Sequence, residues 1–297
     1  MDSLIVKTGS RSIIIGSGHY GNYIPIKENK VLKITRISEK HNEFINLKIV
    51  KTIPNYTDYY SIPDDLAHLI IPSDKMYEYI KNLVKNEDIN IFGGPLTCYY
   101  VDYAGNKELL DTINDINVSD FSFWKSYKTI LKFTKKILDG LSFLHNKQLC
   151  HLDIKPENIM IDTIKKTYKI IDFGFCSKEP FDHYVNNIRG TPGYFPYNYT
   201  DTIKPWLPKI NTNDLHIIDG EYLIKKYRNL VYKIDSFCLG RVLYFLKYSY
   251  DKKIIYSCFN CFGEINNGLK LDEIIKDLIE SDAFNRLTID ECINKYF

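Results

Sequence analysis

The spacing of apolar positions changes about one third of the way along the chain. The first part has short runs typical of β-strands, of which the aromatic and β-branched stretch Leu96–Tyr103 is the clearest. One segment there is helical, because Phe44, Leu47 and Val50 recur three residues apart. Ala104-Gly105-Asn106 then breaks the strand pattern and predicts a hinge.

The second part has mostly helical periodicity. An amphipathic helix is predicted where apolar residues recur at spacings of four and three, at Phe133, Ile137, Leu141 and Leu144. Leu239, Val242, Leu243 and Leu246 predict a buried helix, and short strands are expected at 158–161 and 168–171. The sequence therefore predicts an α+β fold with two lobes, a small β-rich N-lobe at residues 1–103 and a larger α-helical C-lobe at 104–297.

Composition and charge narrow the class of protein. The 297 residues carry 39 Lys and Arg against 37 Asp and Glu, a net charge of +2, so no nucleic-acid partner is indicated. No apolar run approaches the roughly 20 residues of a membrane span, and the N-terminus lacks a secretory signal. Seven cysteines without a regular framework fit a reducing compartment. We expect a soluble cytoplasmic monomer with no membrane partner.

A glycine-rich motif, Gly16-Ser17-Gly18-His19-Tyr20-Gly21, follows an apolar run near the N-terminus. Glycines let backbone amides approach phosphates, because no Cβ stands in the way. A dinucleotide-binding motif of this kind would precede a helix, whereas Tyr23–Ile26 with its internal Pro25 predicts a strand. We therefore prefer a glycine-rich hairpin over a nucleotide, with a plain structural turn as the alternative.

A lysine follows in the next strand-like run, where Lys33 stands between Leu32 and Ile34, two residues after Val31. Burying its charge is costly unless an opposite charge lies nearby. Glu43 on the predicted helix is the natural partner. The alternative is a surface lysine whose stem covers apolar neighbours.

The richest concentration of chemical groups is the octapeptide His151–Asn158. Asp153 can accept a proton from a hydroxyl, Lys155 can neutralise a transferring phosphoryl group, and Asn158 offers an oxygen to Mg²⁺. Asp172, in Asp172-Phe173-Gly174, supplies a carboxylate at the end of a strand. One Asp plus one Asn suits Mg²⁺ that also binds phosphate. A lone loop Asp is usually a turn residue, but two such motifs in this order argue against chance.

Taken together, these motifs resemble those of the eukaryotic-type protein kinase family of the serine/threonine type. The resemblance continues through three further motifs, Gly190-Thr191-Pro192-Gly193-Tyr194, Asp235-Ser236-Phe237-Cys238-Leu239-Gly240 and the region of Arg286. It implies a bilobal protein-kinase-like fold. It also implies transfer of the γ-phosphoryl group of ATP, with Mg²⁺ or Mn²⁺, to Ser/Thr hydroxyls of a protein substrate.

The resemblance assigns the catalytic roles residue by residue. Asp153 would orient the attacking hydroxyl and accept its proton, and Lys155 would steady the γ-phosphoryl group. Lys33, held by Glu43, would contact the α and β phosphates. Thr191 would contact Asp153 and Lys155, a serine/threonine-type feature.

The binding roles follow in the same way. Asn158 and Asp172 would hold the metal, and Asp235 would anchor the backbone of the catalytic loop while starting the buried helix. The hinge would be Asp102-Tyr103-Ala104 with Val101 as gatekeeper. The remaining nucleotide-binding positions would be Gly16, Ser17, Gly18, His19, Tyr20, Gly21, Tyr23, Val31, Glu108 at the ribose and Met160 beneath the base.

Several positions depart from the family pattern. Leu152 replaces the arginine that pairs with an activation-segment phosphate, so we expect activity without phosphorylation of that segment. Tyr23 is bulky for a position above the adenine. Phe195-Pro196-Tyr197 stands where Ala-Pro-Glu is expected, which would leave Arg286 without its usual ion-pair partner. Residues 198–232 form an insertion that is either a docking surface or, as we favour, a tolerated loop.

Other functions remain as alternatives. The departures at Tyr23, Leu152 and Tyr197 would fit a pseudokinase that acts as a scaffold or binding module. A small-molecule kinase of the same fold is disfavoured by Lys155 and the Gly190–Tyr194 platform. Cys258 and Cys261 are spaced like a zinc ligand pair, but no second pair is evident, so two partly buried thiols on a helix are expected.

Finally, the chain ends soon after the Arg286 region, and we expect no attached regulatory domain. Compactness and an AT-rich style of composition resemble kinases of large DNA viruses, although protist kinases share these traits. A viral origin would place the protein in the host cytoplasm or the virion.

Overall fold

A computed structural model describes residues 16–18, 21–27, 30–36, 41–63, 96–116, 123–178, 190–191, 193–196, 220–257 and 264–297. Within these ranges, only the backbone is described for residues before Ile45 and for 96–100, 220–230 and 253–257. Cys258 and Cys261 lie outside the described residues, so their environment stays a prediction.

The first part of the chain forms a four-stranded antiparallel sheet. Its strands are β1 (Gly16–Gly18), β2 (Gly21–Lys27), β3 (Lys30–Arg36) and β4 (Leu96–Asp102), in the order β1-β2-β3-β4. Gly18 pairs with Gly21, so the glycine-rich motif is a tight hairpin, as predicted. The pairing of β2 with β3 is irregular between Pro25 and Lys27, where proline cannot donate to the ladder.

A single helix, α1 (His41–Val50), accompanies this sheet. Leu47 and Val50, predicted to share one face, are both buried. The chain then runs to Tyr60, which forms a β-bridge with Ile170 in the second part of the molecule. The Tyr60 hydroxyl also donates to the carbonyl of Gly140. The two parts are thereby joined by backbone pairing as well as side chains.

The second part is mainly helical. Its elements are β5 (Lys107–Glu108), α2 (Leu109–Ile116), α3 (Tyr127–Asn146), β6 (Ile159–Asp162), β7 (Thr167–Ile170), α4 (Gly220–Ser257), α5 (Ile265–Leu278) and α6 (Ile289–Tyr296). Strands β5, β6 and β7 form a small antiparallel sheet. A small sheet followed by a helical part is the α+β, two-lobe architecture that the sequence predicted.

Helix α3 shows how local sequence sets these elements. The Ser126 side chain caps its first turn by accepting a hydrogen bond from the Thr129 amide. The four apolar positions that predicted it are all buried, at Phe133, Ile137, Leu141 and Leu144. Its apolar stripe therefore faces the core, and the prediction is confirmed.

Helix α4 is the longest element and passes through the core. Leu239, Val242, Leu243 and Leu246 are fully buried, as predicted. The helix begins at Gly220, however, so the expectation that Asp235 starts it is wrong. The stretch from Gly220 onward contains no proline, so nothing breaks the helix before Asp235. Residues 220–232 of the predicted insertion are therefore helical rather than a loop.

Neither α4 nor any other helix in the described ranges combines the length and apolar character needed to cross a membrane.

Candidate active site

The loop His151–Asn158 is anchored on α4 by one buried carboxylate. Asp235 is fully buried, and its two oxygens accept hydrogen bonds from the backbone amides of His151 and Leu152, each 2.8 Å long. His145 at the end of α3 lies 2.9 Å from the same carboxylate through Nε2. The predicted anchoring of the loop by Asp235 is present.

Burial has the largest single effect on the pKa of Asp235 and raises it. The hydrogen bond and charge of His145, together with His151, outweigh burial and leave the pKa below its ordinary value. Asp235 is thus ionised in the core because its donors stabilise the charge.

His145, Cys150 and Asp235 also place three possible metal-ligand atoms within 4.8 Å of one another. Both oxygens of Asp235 already accept hydrogen bonds from the loop amides. A metal would have to displace these bonds, so the cluster is better explained as a backbone anchor.

Around Asp153 the structure brings together three other residues that the sequence singled out. Its carboxylate accepts a 2.6 Å hydrogen bond from the Thr191 hydroxyl and a 2.9 Å bond from Asn158 Nδ2. Lys155 Nζ lies 3.0 Å from the carboxylate and donates to the Thr191 hydroxyl at 2.9 Å. Asp153 is only 3% exposed, so this network holds its carboxylate in a fixed position.

Leu152, where the family pattern has arginine, lies between these groups. Its side chain is buried in the hydrophobic core, and its backbone has a φ of 70°, in the left-handed region. Such a conformation costs a non-glycine residue on the order of 1–2 kcal/mol. The hydrogen bond from the Leu152 amide to Asp235 is one interaction that maintains it.

Asp172 follows the end of β7 at Ile170 by two positions and also has a positive φ, of 59°. One of its oxygens accepts a long hydrogen bond from the Gly174 amide. Phe173 is buried and contacts the rings of Tyr60 and His151 edge-on. The contact with Tyr60 ties this segment to the chain that follows α1.

The donor set near Asp153 suits a magnesium ion. Asn158 makes both of its hydrogen bonds to Asp153 through Nδ2, which leaves its amide oxygen outside those bonds. Asp172 supplies a carboxylate. Carboxylate and amide oxygens are ligands that Mg²⁺ accepts when phosphate completes the shell.

On the nucleotide side, three of the predicted apolar residues at or near the hinge are buried. Val101, Ala104 and Met160 are buried, at 6%, 8% and 7% exposure. Gly105 lies so close to Ile161 that a Cβ would stand 2.4 Å from the Ile161 carbonyl, so only glycine fits. The hinge therefore packs directly on β6.

Glu108 is on β5 and pairs with Met160 on β6. Burial, followed by the charges of Asp111 and Glu157, raises its pKa to about 7, while Lys155 acts in the opposite direction. The carboxyl group at the position predicted to contact the ribose therefore titrates close to neutral pH.

The remaining predicted nucleotide-binding residues are placed by backbone alone. Lys33 pairs with Tyr23 on β2 and with Tyr99 on β4, and Glu43 lies in α1. Val31 is in β3, and Gly16, Ser17, Gly18 and Gly21 are in the hairpin. The Lys33–Glu43 contact and the position of the Tyr23 ring stay predictions, and His19 and Tyr20 lie outside the described residues.

The side chain of Arg286 is held by backbone carbonyls and an aromatic ring. Its guanidinium is buried, donates to the carbonyls of Glu280 and Lys233, and lies over the ring of Phe237. These carbonyls, one in the turn before Arg286 and one on α4, hold the guanidinium, and the predicted loss of its usual ion-pair partner stays a prediction. Tyr197, at the position of the expected glutamate, lies outside the described residues.

Sequence reasoning missed His145 as a member of the site. It follows Leu141 by four positions, on the apolar stripe of α3, and its side chain is only 8% exposed. A histidine on an apolar stripe requires a buried partner, and that signal was present in the sequence.

Comparison with known proteins points to protein kinases. The family model for the protein kinase domain matches residues 73–202. "Serine/threonine-protein kinase ELM1" of Saccharomyces cerevisiae is 30% identical over 195 residues, 56% of this chain and 27% of that protein.

Two other similar proteins also carry the names of protein kinases. "Probable serine/threonine-protein kinase fhkB" of Dictyostelium discoideum is 24% identical over 74% of this chain and 18% of that protein. "Calcium-dependent protein kinase 5" of Plasmodium berghei is 28% identical over 61% of this chain and 28% of that protein. The chain thus spans less than a third of the length of these curated relatives.

The fold and the site together define a bilobal kinase domain. Residues 73–202 match the model of the protein kinase domain, and the chain is similar to proteins that carry the names of serine/threonine or calcium-dependent protein kinases.

Proposed function

We propose that the chain is an ATP-dependent protein kinase that transfers the γ-phosphoryl group to Ser or Thr hydroxyls of protein substrates. The observation that carries the proposal is the network on Asp153, whose carboxylate is held by Lys155, Asn158 and Thr191. Lys155 Nζ lies 3.0 Å from Asp153, which places a possible proton acceptor beside a cation that can neutralise a phosphoryl group.

In this mechanism the residues act mainly by positioning and electrostatics. Asp153 orients the substrate hydroxyl and accepts its proton, and Thr191 fixes the orientation of that carboxylate. Lys155 stabilises the negative charge of the γ-phosphoryl group during transfer. The hydrogen bonds of Thr191 to Asp153 and Lys155, together with the resemblance of Gly190–Tyr194 to a substrate platform, support a protein hydroxyl as the acceptor.

Asn158 and Asp172 would hold Mg²⁺, or Mn²⁺, which neutralises the phosphate charge when bound. The glycine hairpin from Gly16 to Gly21 would cover the phosphates, with Lys33 paired to Glu43 beside them. Val101, Asp102, Ala104 and Met160 would surround the base. Glu108 would contact the ribose.

We place the boundary between the lobes at residues 103 and 104. Support comes from the end of β4 at Asp102 and from Gly105, which packs against Ile161 of the second sheet. The N-lobe then comprises residues 1–103 and the C-lobe residues 104–297.

The decisive test is an assay with radiolabelled ATP and generic Ser/Thr substrates. We expect transfer by the wild type, no transfer by Asp172→Ala, and a roughly 10²–10⁴-fold slower rate for Asp153→Asn with nucleotide binding retained. Asp139→Asn, a change in an ion pair on α3, serves as the matched control and should keep wild-type activity. A wild type that binds nucleotide without transfer would favour a pseudokinase, and unchanged turnover in Asp153→Asn would refute the mechanism.

We further propose that activity does not require phosphorylation of the activation segment. The support is Leu152, whose buried apolar side chain cannot pair with a phosphate. Phosphatase-treated protein should retain its activity. Loss of activity after treatment, restored by phosphorylation between Cys176 and Arg189, would show that the switch exists.

A further inference from the structure

We propose that Arg241 is a positioning residue that holds residues 190–191 and 193–196, here called the substrate segment, against α4. The proposal rests on the proposed kinase function and names a residue that the family resemblance did not assign. Arg241 lies six residues after Asp235 on the same helix, and its Nε donates a 3.0 Å hydrogen bond to the carbonyl of Gly193.

Two aromatic rings fix the guanidinium of Arg241 in place. It lies 5.0 Å from the ring centre of Phe245 and 5.5 Å from that of Tyr244, within the range of cation–π attraction. Phe245 also contacts the ring of Tyr194 edge-on, with ring centres 5.6 Å apart. The two rings therefore hold the Arg241 guanidinium, and one of them, Phe245, also contacts the substrate segment through Tyr194.

Gly193 presents its carbonyl to Arg241 from an unusual backbone conformation. Its φ is 91°, which side-chain-bearing residues rarely adopt. The amides of Tyr194 and Phe195 both donate to the carbonyl of Thr191, at 3.2 and 3.3 Å, so the segment is a tight turn. One end of this turn contacts Arg241 and the other, Thr191, contacts the Asp153 carboxylate.

This arrangement connects α4 to the reacting groups through a short chain of contacts. The order is Arg241 to Gly193, across the turn to Thr191, and then to Asp153. A shift of the segment would move Thr191 and any substrate bound to the turn, while Asp153 would keep its bonds from Asn158 and Lys155. Loss of Arg241 should therefore weaken the capture of substrate protein more than the binding of ATP.

The first test is steady-state kinetics with the peptide that the wild type phosphorylates best in a synthetic Ser/Thr peptide mixture. Losing a hydrogen bond from a charged donor should raise the peptide KM of Arg241→Met roughly tenfold, with the KM for ATP unchanged. Methionine retains an apolar stem over Phe245, so packing is preserved. Arg241→Lys, which keeps a cationic donor, should recover part of the loss.

Lys247→Met is the matched control, because Lys247 is a cation on the same helix that pairs instead with Asp251 and Asp272. It should leave the peptide KM unchanged even if it lowers thermal stability. An equal rise of the peptide KM in Lys247→Met and Arg241→Met would reduce the role of Arg241 to general stability and overturn the proposal.

The second test does not depend on activity. Hydrogen exchange at the Tyr194 and Phe195 amides should accelerate in Arg241→Met but not in Lys247→Met, because only the former releases the turn. Unchanged exchange together with an unchanged peptide KM would refute the inference while leaving the kinase proposal intact. A wild type without phosphoryl transfer would instead refute the proposed function, and exchange would still report on the turn.

Discussion

Helix α4 holds two parts of the site in two different ways. Asp235 binds the catalytic loop from inside the core, where it is fully buried and accepts backbone amides and His145. Arg241 binds the substrate segment from a partly exposed position, through one carbonyl and two rings. The same helix therefore supports a rigid attachment and a weaker one.

The difference follows from the environment of each charge. Separating the buried carboxylate from its donors would leave both without hydrogen-bond partners in the core, which carries a large desolvation penalty. The loop is therefore held in one arrangement. A partly exposed arginine can exchange a carbonyl for water at small cost. We infer that the loop carries the fixed chemistry, whereas the substrate segment is the part that can adjust to a substrate.

Removing the buried attachment should have the largest effect. Asp235→Ala leaves the amides of His151 and Leu152 and the His145 ring without their acceptor, so the free energy of unfolding should fall by about 3–5 kcal/mol. Chemical denaturation measures this change. The exposed Glu273→Ala on α5 is the control and should change stability little. A loss below that range would mean that the two attachments differ less than their burial indicates.

Thr191 tests the point where the two attachments meet. Thr191→Ala removes the hydroxyl that bonds both Asp153 and Lys155, and activity should fall roughly 10- to 100-fold because these bonds involve charged groups. Thr191→Ser keeps the hydroxyl and should retain most of the activity. If the two variants had equal kcat, the hydroxyl would have no role in orienting Asp153.

The smallest effect is expected at Glu108, outside both attachments. Its pKa is raised from 4.5 to about 7, so the folded protein holds this proton where the unfolded chain has lost it. Stability should therefore decrease as the pH rises from about 4.5 to about 7 and stay level above that. Glu108→Gln should remove this loss and stabilise the protein at pH 8 by on the order of 1 kcal/mol, allowing for solvent screening.

Thermal unfolding at pH 5 and pH 8 measures that difference, with Glu273→Gln as an exposed control. A stability gain of Glu108→Gln that is equal at both pH values would show that the carboxyl titrates normally.

The sequence was most informative where function depends on residues close together in the chain. Asp153, Lys155 and Asn158 lie within one loop, so their spacing alone indicated the chemistry. The glycine hairpin and α3 were predictable for the same reason, because turn residues and an apolar stripe act over a few positions.

Predictions were less accurate where a feature depended on distant contacts. The predicted start of α4 at Asp235 is too late by 15 residues, because no proline between Gly220 and Asp235 interrupts the helix. The support of Arg286 by the carbonyls of Glu280 and Lys233 was not predictable from the sequence, because Lys233 is 53 positions away.

The sequence by itself indicated the resemblance to protein kinases, the two-part α+β pattern and the short loop that carries the proposed chemistry. The tertiary structure decided how that loop is held. His151 and Asp235 are 84 positions apart, and Gly193 and Arg241 are 48 apart. Contacts over such separations are set by how helices and loops pack around a shared core, and no local spacing in the sequence encodes them.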